Sequence, residues 1–213
     1  IEYGDVVRGD VITRSDEWHH TDRFDASLSV LASLVHPVSR RGAYRVHIGS
    51  ADVPARLRVI GPDALDPGAN GFVRVHLDRA FPLLPGDRFV VRDSGRSETI
   101  GGGEILDVDP IRPVSKATPD RAIERVVAER GWIEAEELWR LTGVRREPDV
   151  GRWVVDPDVL ERARHDLLEI IQSLPTSSEG NQITVAAGGT AAAIIFVAVT
   201  AVTGSNNDGN GKE

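Results

Sequence analysis

The chain has no cysteine and no methionine in 213 residues, and its only lysines are Lys116 and Lys212. Without cysteine there is neither a disulfide framework nor a thiolate-held zinc, and a reducing compartment is compatible. With so little lysine, nearly all positive charge is arginine. That fits a GC-rich coding bias, or selection for the bidentate phosphate contacts a guanidinium makes. The chain opens on Ile1. Initiator methionines are trimmed before small residues, so a preceding segment is expected. The opening carries no signal-peptide h-region. A net charge of −8, spread evenly, argues against a generic nucleic-acid coat but leaves room for a local basic patch. Also missing is the Gly-x-x-x-x-Gly-Lys-Ser/Thr loop that cradles nucleotide phosphates. Gly101-Gly102-Gly103 runs into Glu104 and strand residues instead.

What is present over residues 23–113 is a series of short alternating segments. Phe24–Leu31 sets Phe24, Ala26, Leu28 and Val30 against Asp25, Ser27 and Ser29. Tyr44–Ile48, Val53–Ile60 and Phe72–Leu77 follow, the last two with the same period of two, and Gly61-Pro62-Asp63 and Asp66-Pro67-Gly68 mark turns. About six antiparallel strands of this kind fit a small closed barrel, which leaves no sheet edge exposed.

The most informative stretch begins at Gly86. It predicts strands over Arg88–Arg92 and Thr99–Leu106, joined by the polar turn Asp93-Ser94-Gly95-Arg96. Glycine weakens a strand, so Gly101–Gly103 inside the second strand predict a bulge or the close approach of a backbone or ligand. The turn gathers backbone N–H groups, a hydroxyl and a guanidinium, a set suited to phosphate and ribose oxygens. Asp93 and Glu98 lack a nucleophile or histidine partner for acid–base work, and ion pairs with Arg92 and Arg96 are expected instead.

This hairpin resembles the last hairpin of the third domain of the GTP-dependent elongation factors that carry aminoacyl-tRNA to the ribosome. Its wording, Arg92-Asp-Ser-Gly-Arg-Ser-Glu-Thr-Ile-Gly-Gly-Gly103, is most similar to the selenocysteine-specific branch. The resemblance implies a translation-factor barrel over residues 20–112, with residues 1–14 ending a preceding barrel. It implies that Arg92, Asp93, Ser94, Gly95 and Arg96 take part in holding tRNA, with a second contact region over Tyr44–Ser50 that includes Arg45 and His47. Asp93 shares the charge of phosphate, so it is expected to accept from a ribose 2′-hydroxyl or to orient Arg92. Selenocysteinyl-tRNA and the ribosome are the implied partners, in the cytoplasm. An mRNA hairpin is reached only through domains beyond this chain. GTP and Mg2+ belong to an upstream domain, so this piece binds without catalysing and needs no cofactor of its own.

After a linker at residues 110–118 the pattern turns helical. Thr118 reads as an N-cap with Pro119 at the first helical position, and Gly131 ends the helix. A second helix over Glu134–Thr142 stops at Gly143, Trp153-Val154-Val155 reads as a strand, and Asp156-Pro157 opens a third helix. That third helix carries a stripe of Val159, Leu160, Ala163, Leu167, Ile170, Ile171 and Leu174. The whole, residues 118–175, fits a winged-helix-like unit, with Trp132, Trp139 and Trp153 expected in its core. The fold class is therefore mainly β, then α: an antiparallel barrel, a helical unit, and an apolar tail at 176–213. Ile183–Val202 is long enough to cross a bilayer as a helix but lacks basic flanks. A membrane span, a non-native tail and a buried segment all remain open for it. Adjacent His19 and His20 are expected in an exposed loop rather than at a metal. Two rival readings are kept. In one, the helical unit reads DNA, which the acids of Glu134-Ala-Glu-Glu oppose. In the other, the barrel is anchored to a membrane.

Overall fold

The computed structural model describes residues 8–14, 17–173, 181–188 and 194–201. The alternating segments form β1 (His20–Val30), the two-residue β2 (Val38–Ser39), β3 (Tyr44–Ile48), β4 (Ala51–Ile60), the two-residue β5 (Ala64–Leu65), β6 (Asn70–Pro82), β7 (Arg88–Asp93) and β8 (Glu98–Asp107). Six of them close into a barrel in the order β1-β6-β4-β3-β7-β8, every pairing antiparallel. The strands run longer than the alternation alone predicts, because ladder bonds continue past the last apolar side chain. β2 and β5 pair with each other outside the barrel.

The apolar side of each strand faces inward. Phe24, Leu28, Leu57, Val75, Ile100 and Ile105 are fully buried there, each contributing roughly 1.5–3 kcal/mol by leaving water. Phe24 and Phe89 meet edge-on with ring centroids 5.6 Å apart. The glycine run lies on β8 at the seam where the barrel closes onto β1, Gly101 opposite Val30 and Gly103 opposite Leu28. A Cβ at Gly101 or Gly103 would collide with the backbone carbonyl of Ser29 or Ser27. The expected close approach is therefore that of a neighbouring strand.

Beyond the barrel, a short 3-10 turn (Val114–Lys116) leads to α1 (Ile123–Arg130), β9 (Trp132–Glu134), α2 (Ala135–Thr142), β10 (Trp153–Val155) and α3 (Pro157–Ser173). The helix expected to start at Pro119 starts at Ile123 instead. Asp120 Oδ1 accepts from the Ala122 N–H at 3.0 Å and from Arg125 Nε at 2.8 Å, a local turn that keeps residues 119–122 out of the helix. Gly131 and Gly143 do stop their helices, at φ of 75° and 72°. Trp132–Glu134 pairs with Trp153–Val155 as a two-stranded sheet, so α2 begins one residue later than expected. Val126, Val127, Ile133, Leu138, Leu141 and Val154 are buried and join the barrel's apolar core. The tryptophans are half-buried rather than central. Arg145 lies over the Trp139 ring at 4.1 Å, and Arg152 over Trp153 at 5.4 Å.

On α3, Val159, Leu160, Ala163 and Leu167 are half-buried while Ile170 is exposed, so the expected stripe is only partly covered; Leu174 lies outside the described residues. In the apolar tail, β11 (Asn181–Gly188) pairs antiparallel with β12 (Ile194–Ala201). Within the twenty-residue run, residues 183–188 and 194–201 are thus strand rather than helix, and the rest lie outside the described residues. No helix among the described residues is long and apolar enough to cross a membrane. Over residues 8–14 the Gly9-Asp10 turn forms but no strand does; residues 1–7 lie outside the described ones.

Candidate nucleic-acid interface

The β7–β8 turn is organised by a buried carboxylate. Strand alternation puts Asp93 on the same face as Phe89 and Val91, and its side chain is only 3% exposed. Its Oδ1 accepts from the backbone N–H of Gly95 at 2.8 Å and of Arg96 at 3.2 Å, and its Oδ2 accepts from Arg96 Nη1 at 2.8 Å. Burial works against the charge on Asp93. The Arg96 guanidinium and the two N–H donors outweigh it and hold the carboxyl below its ordinary range. The Ser94 N–H donates to the Ala43 carbonyl at 2.8 Å, tying the turn to the start of β3. Ser97 takes φ 54°, the left-handed conformation that lets the chain re-enter β8.

This geometry corrects the expected role of Asp93. Both of its oxygens are engaged inside the turn, so it does not face a ribose, and the side chain it aims is Arg96 rather than Arg92. Arg92 donates instead to the Ser97 carbonyl at 3.3 Å, and Glu98 pairs with His36 at 2.6 Å. What the turn shows to solvent is Arg92, Ser94, Gly95 and Arg96, all exposed.

The second expected region lies beside the first. Arg45 on β3 is directly opposite Arg92 on β7, and His47 is opposite Val90. Arg45 and His47 also share a partner, Asp52, which the alternation pattern alone does not single out. Arg45 Nε donates to Asp52 Oδ1 at 2.6 Å, with His47 Nε2 3.6 Å from the same oxygen. The Arg45 hydrogen bond, against a small effect of burial, lowers the Asp52 pKa. The signal for Asp52 was available. A two-residue Gly49-Ser50 loop between β3 and β4 sets a register in which His47 faces Asp52. Arg45, His47 and the turn thus form one outward face on adjacent strands, with Arg45 partly neutralised.

Elsewhere, His19 is half-buried rather than in an open loop. Its pKa is lowered by burial, against the pull of Asp109 and Glu137. Among the described residues no three His, Asp or Glu side chains gather as metal ligands.

A closed six-stranded antiparallel barrel, bearing an arginine-tipped hairpin and followed by a helical unit, is the class of protein these elements define. Residues 25–112 match the family model for the β-barrel domain of the selenocysteine-specific elongation factor. A selenocysteine-specific elongation factor from Desulfomicrobium baculatum is 28% identical over 156 residues, covering 67% of this chain and 25% of that protein. The crystal structure of bacterial selenocysteine-specific elongation factor EF-Sec superposes with a TM-score of 0.55 at 18% identity, covering 81% of this chain and 31% of that one. At that identity the likeness is one of fold. The chain spans about a quarter of the length of the curated relative it matches. Residues 25–112 are thus similar to the β-barrel domain of selenocysteine-specific elongation factors.

Proposed function

We propose that this chain contributes RNA binding to a selenocysteine-specific elongation factor, holding selenocysteinyl-tRNA for delivery to the ribosome in the cytoplasm. The observation that carries this reading is the Asp93-anchored turn. A buried carboxylate accepts from the Arg96 guanidinium and from two backbone N–H groups of the turn, and so presents Arg96 beside exposed Arg92, Ser94 and Gly95. A guanidinium held in place loses less entropy on binding than a free one. Arginine, hydroxyl and backbone N–H groups together read sugar and phosphate oxygens and the shape of an RNA stem rather than its bases. Arg45 and His47 on the adjoining strand extend the surface.

The α1–β9–α2–β10–α3 unit, over residues 118–175, is a winged-helix-like link toward domains that grip an mRNA hairpin. The acidic first turn of α2, Glu136 and Glu137, favours that linking role over entry into a DNA groove.

Filter binding of selenocysteinyl-tRNA across a salt series tests the tRNA reading. Arg96→Ala should weaken binding and make the salt slope shallower by about 0.7–0.9, one phosphate contact. Unchanged affinity and slope would count against the turn as the contact surface.

A further inference from the structure

Some arginines of the barrel are matched to an acid: Arg45 to Asp52, Arg74 to Asp25, Arg79 to Asp10, Arg96 to Asp93. One group on another side of the barrel is not. Arg56 and Arg58 project from the outer face of β4, exposed and without an ion pair among the described residues. Register places Arg56 opposite His76 on β6, and His76 opposite Arg23 on β1, also exposed and unpaired. Three basic groups therefore stand side by side at the roughly 4.8 Å spacing of neighbouring strands. Arg23 and Arg56 flank His76 from the two neighbouring strands, and guanidiniums without a carboxylate partner on both sides of it attract an anion.

Arg58 also opens onto a cleft of about 880 Å³, lined in addition by Arg40, Arg41, Ser39 and Ser115. Neither Arg40 nor Arg41 has an acidic partner among the described residues, and Asp63 is the single carboxylate in the lining. The far wall, Pro113–Ser115, is the segment that joins the barrel to the helical unit.

We propose that this row and the cleft at its end form a second phosphate-binding surface, which takes the sugar–phosphate backbone of an RNA strand. The cations lie in a line across three strands instead of converging on one point, as successive phosphates require. The cleft lining has no aromatic ring to hold a base, so the surface reads backbone alone. The row itself lies on β4, β6 and β1 rather than on β7, while its cleft end adjoins the turn, because Ser39 in the cleft lining bonds the Tyr44 hydroxyl and Tyr44 is opposite Asp93. His76 reports on it. Its pKa is lowered by burial and then by Arg23, Arg74 and Arg56, with Asp22 pulling the other way. A bound anion cancels that repulsion and moves the titration upward.

The test compares Arg56→Ala/Arg58→Ala with Arg92→Ala/Arg96→Ala in filter binding of a tRNA transcript at several salt concentrations. NMR titration of His76 accompanies it, with and without the transcript. The expected result is a salt slope shallower by about 1.4–1.8 in the Arg56/Arg58 variant, near-native binding in Arg56→Lys/Arg58→Lys, and a His76 pKa that rises with RNA. A native slope in the Arg56/Arg58 variant overturns the proposal while leaving the turn untouched. A loss confined to that variant upholds it and sinks the turn instead. A His76 shift produced by ATP but not by the transcript makes the cleft a nucleotide site and also overturns it.

Discussion

Asp93 shows how one side chain can govern a surface it never reaches. The carboxylate is out of contact with solvent, yet Arg96, Gly95 and the path of the turn all depend on it. Replacing it with alanine orphans two backbone donors and should cost about 1–3 kcal/mol in urea denaturation. The same change should weaken RNA binding although Arg96 is still present. Because the folded-state pKa of Asp93 is lowered, its contribution is present above the unfolded carboxylate pKa of about 3.9. It is lost as pH falls through the lower folded value. Stability of Asp93→Asn measured on the acid side should therefore fall less steeply than that of the native protein. Gly103 governs the seam in another way. A methyl group there meets the Ser27 carbonyl, which is part of the strand backbone and has little freedom to yield. Gly103→Ala should lower the thermal midpoint by the equivalent of about 1–3 kcal/mol. Gly49→Ala in the open β3–β4 loop meets no neighbouring atom, and only its φ of 55° opposes it.

At the scale of elements, the first helix is attached to the barrel by charge as well as by apolar contact. Arg74 on β6 grips Asp25 on β1 through two hydrogen bonds of 2.6 and 2.8 Å, both side chains buried. Asp25 is in turn opposite Asp107 on β8, and Arg125 of α1 reaches Asp107 at 2.9 Å. Arg125 also bonds Glu129 at 3.0 Å, so two barrel acids and two helix groups share one enclosed network. Hydrogen bonding to Asp25 raises the Arg74 pKa against the effect of burial. Removing one member leaves its partner charged and without water. Arg74→Ala should therefore destabilise by about 3–5 kcal/mol. Arg74→Met combined with Asp25→Leu, which removes both charges, should recover most of that loss in the same urea titration.

For the whole molecule, the consequence is a barrel and helical unit that share one core. Val126 and Val127 of α1 pack into the same buried cluster as the barrel interior, and Arg125 closes the polar side of the joint. Near-UV signals from the half-buried tryptophans of the helical unit and far-UV signals from the barrel should lose structure in one thermal transition. Arg125→Ala should separate them, with the helical unit melting first.

The period-two alternation, the turn residues and the glycine stops of α1 and α2 were local, and they were enough to read a barrel followed by helices. The turn Asp93–Arg96 was equally legible, and so in principle was the inward direction of Asp93, since it continues the Phe89–Val91 face. Only the tertiary structure decided which arginines are neutralised and which stand free. Asp25 and Arg74 are far apart in the chain, as are Arg45 and Arg92, and strand pairing alone makes them neighbours. Local pattern sets which way a side chain points from its own strand. The partner it meets there depends on how distant strands register when the barrel closes, which no short stretch of sequence contains.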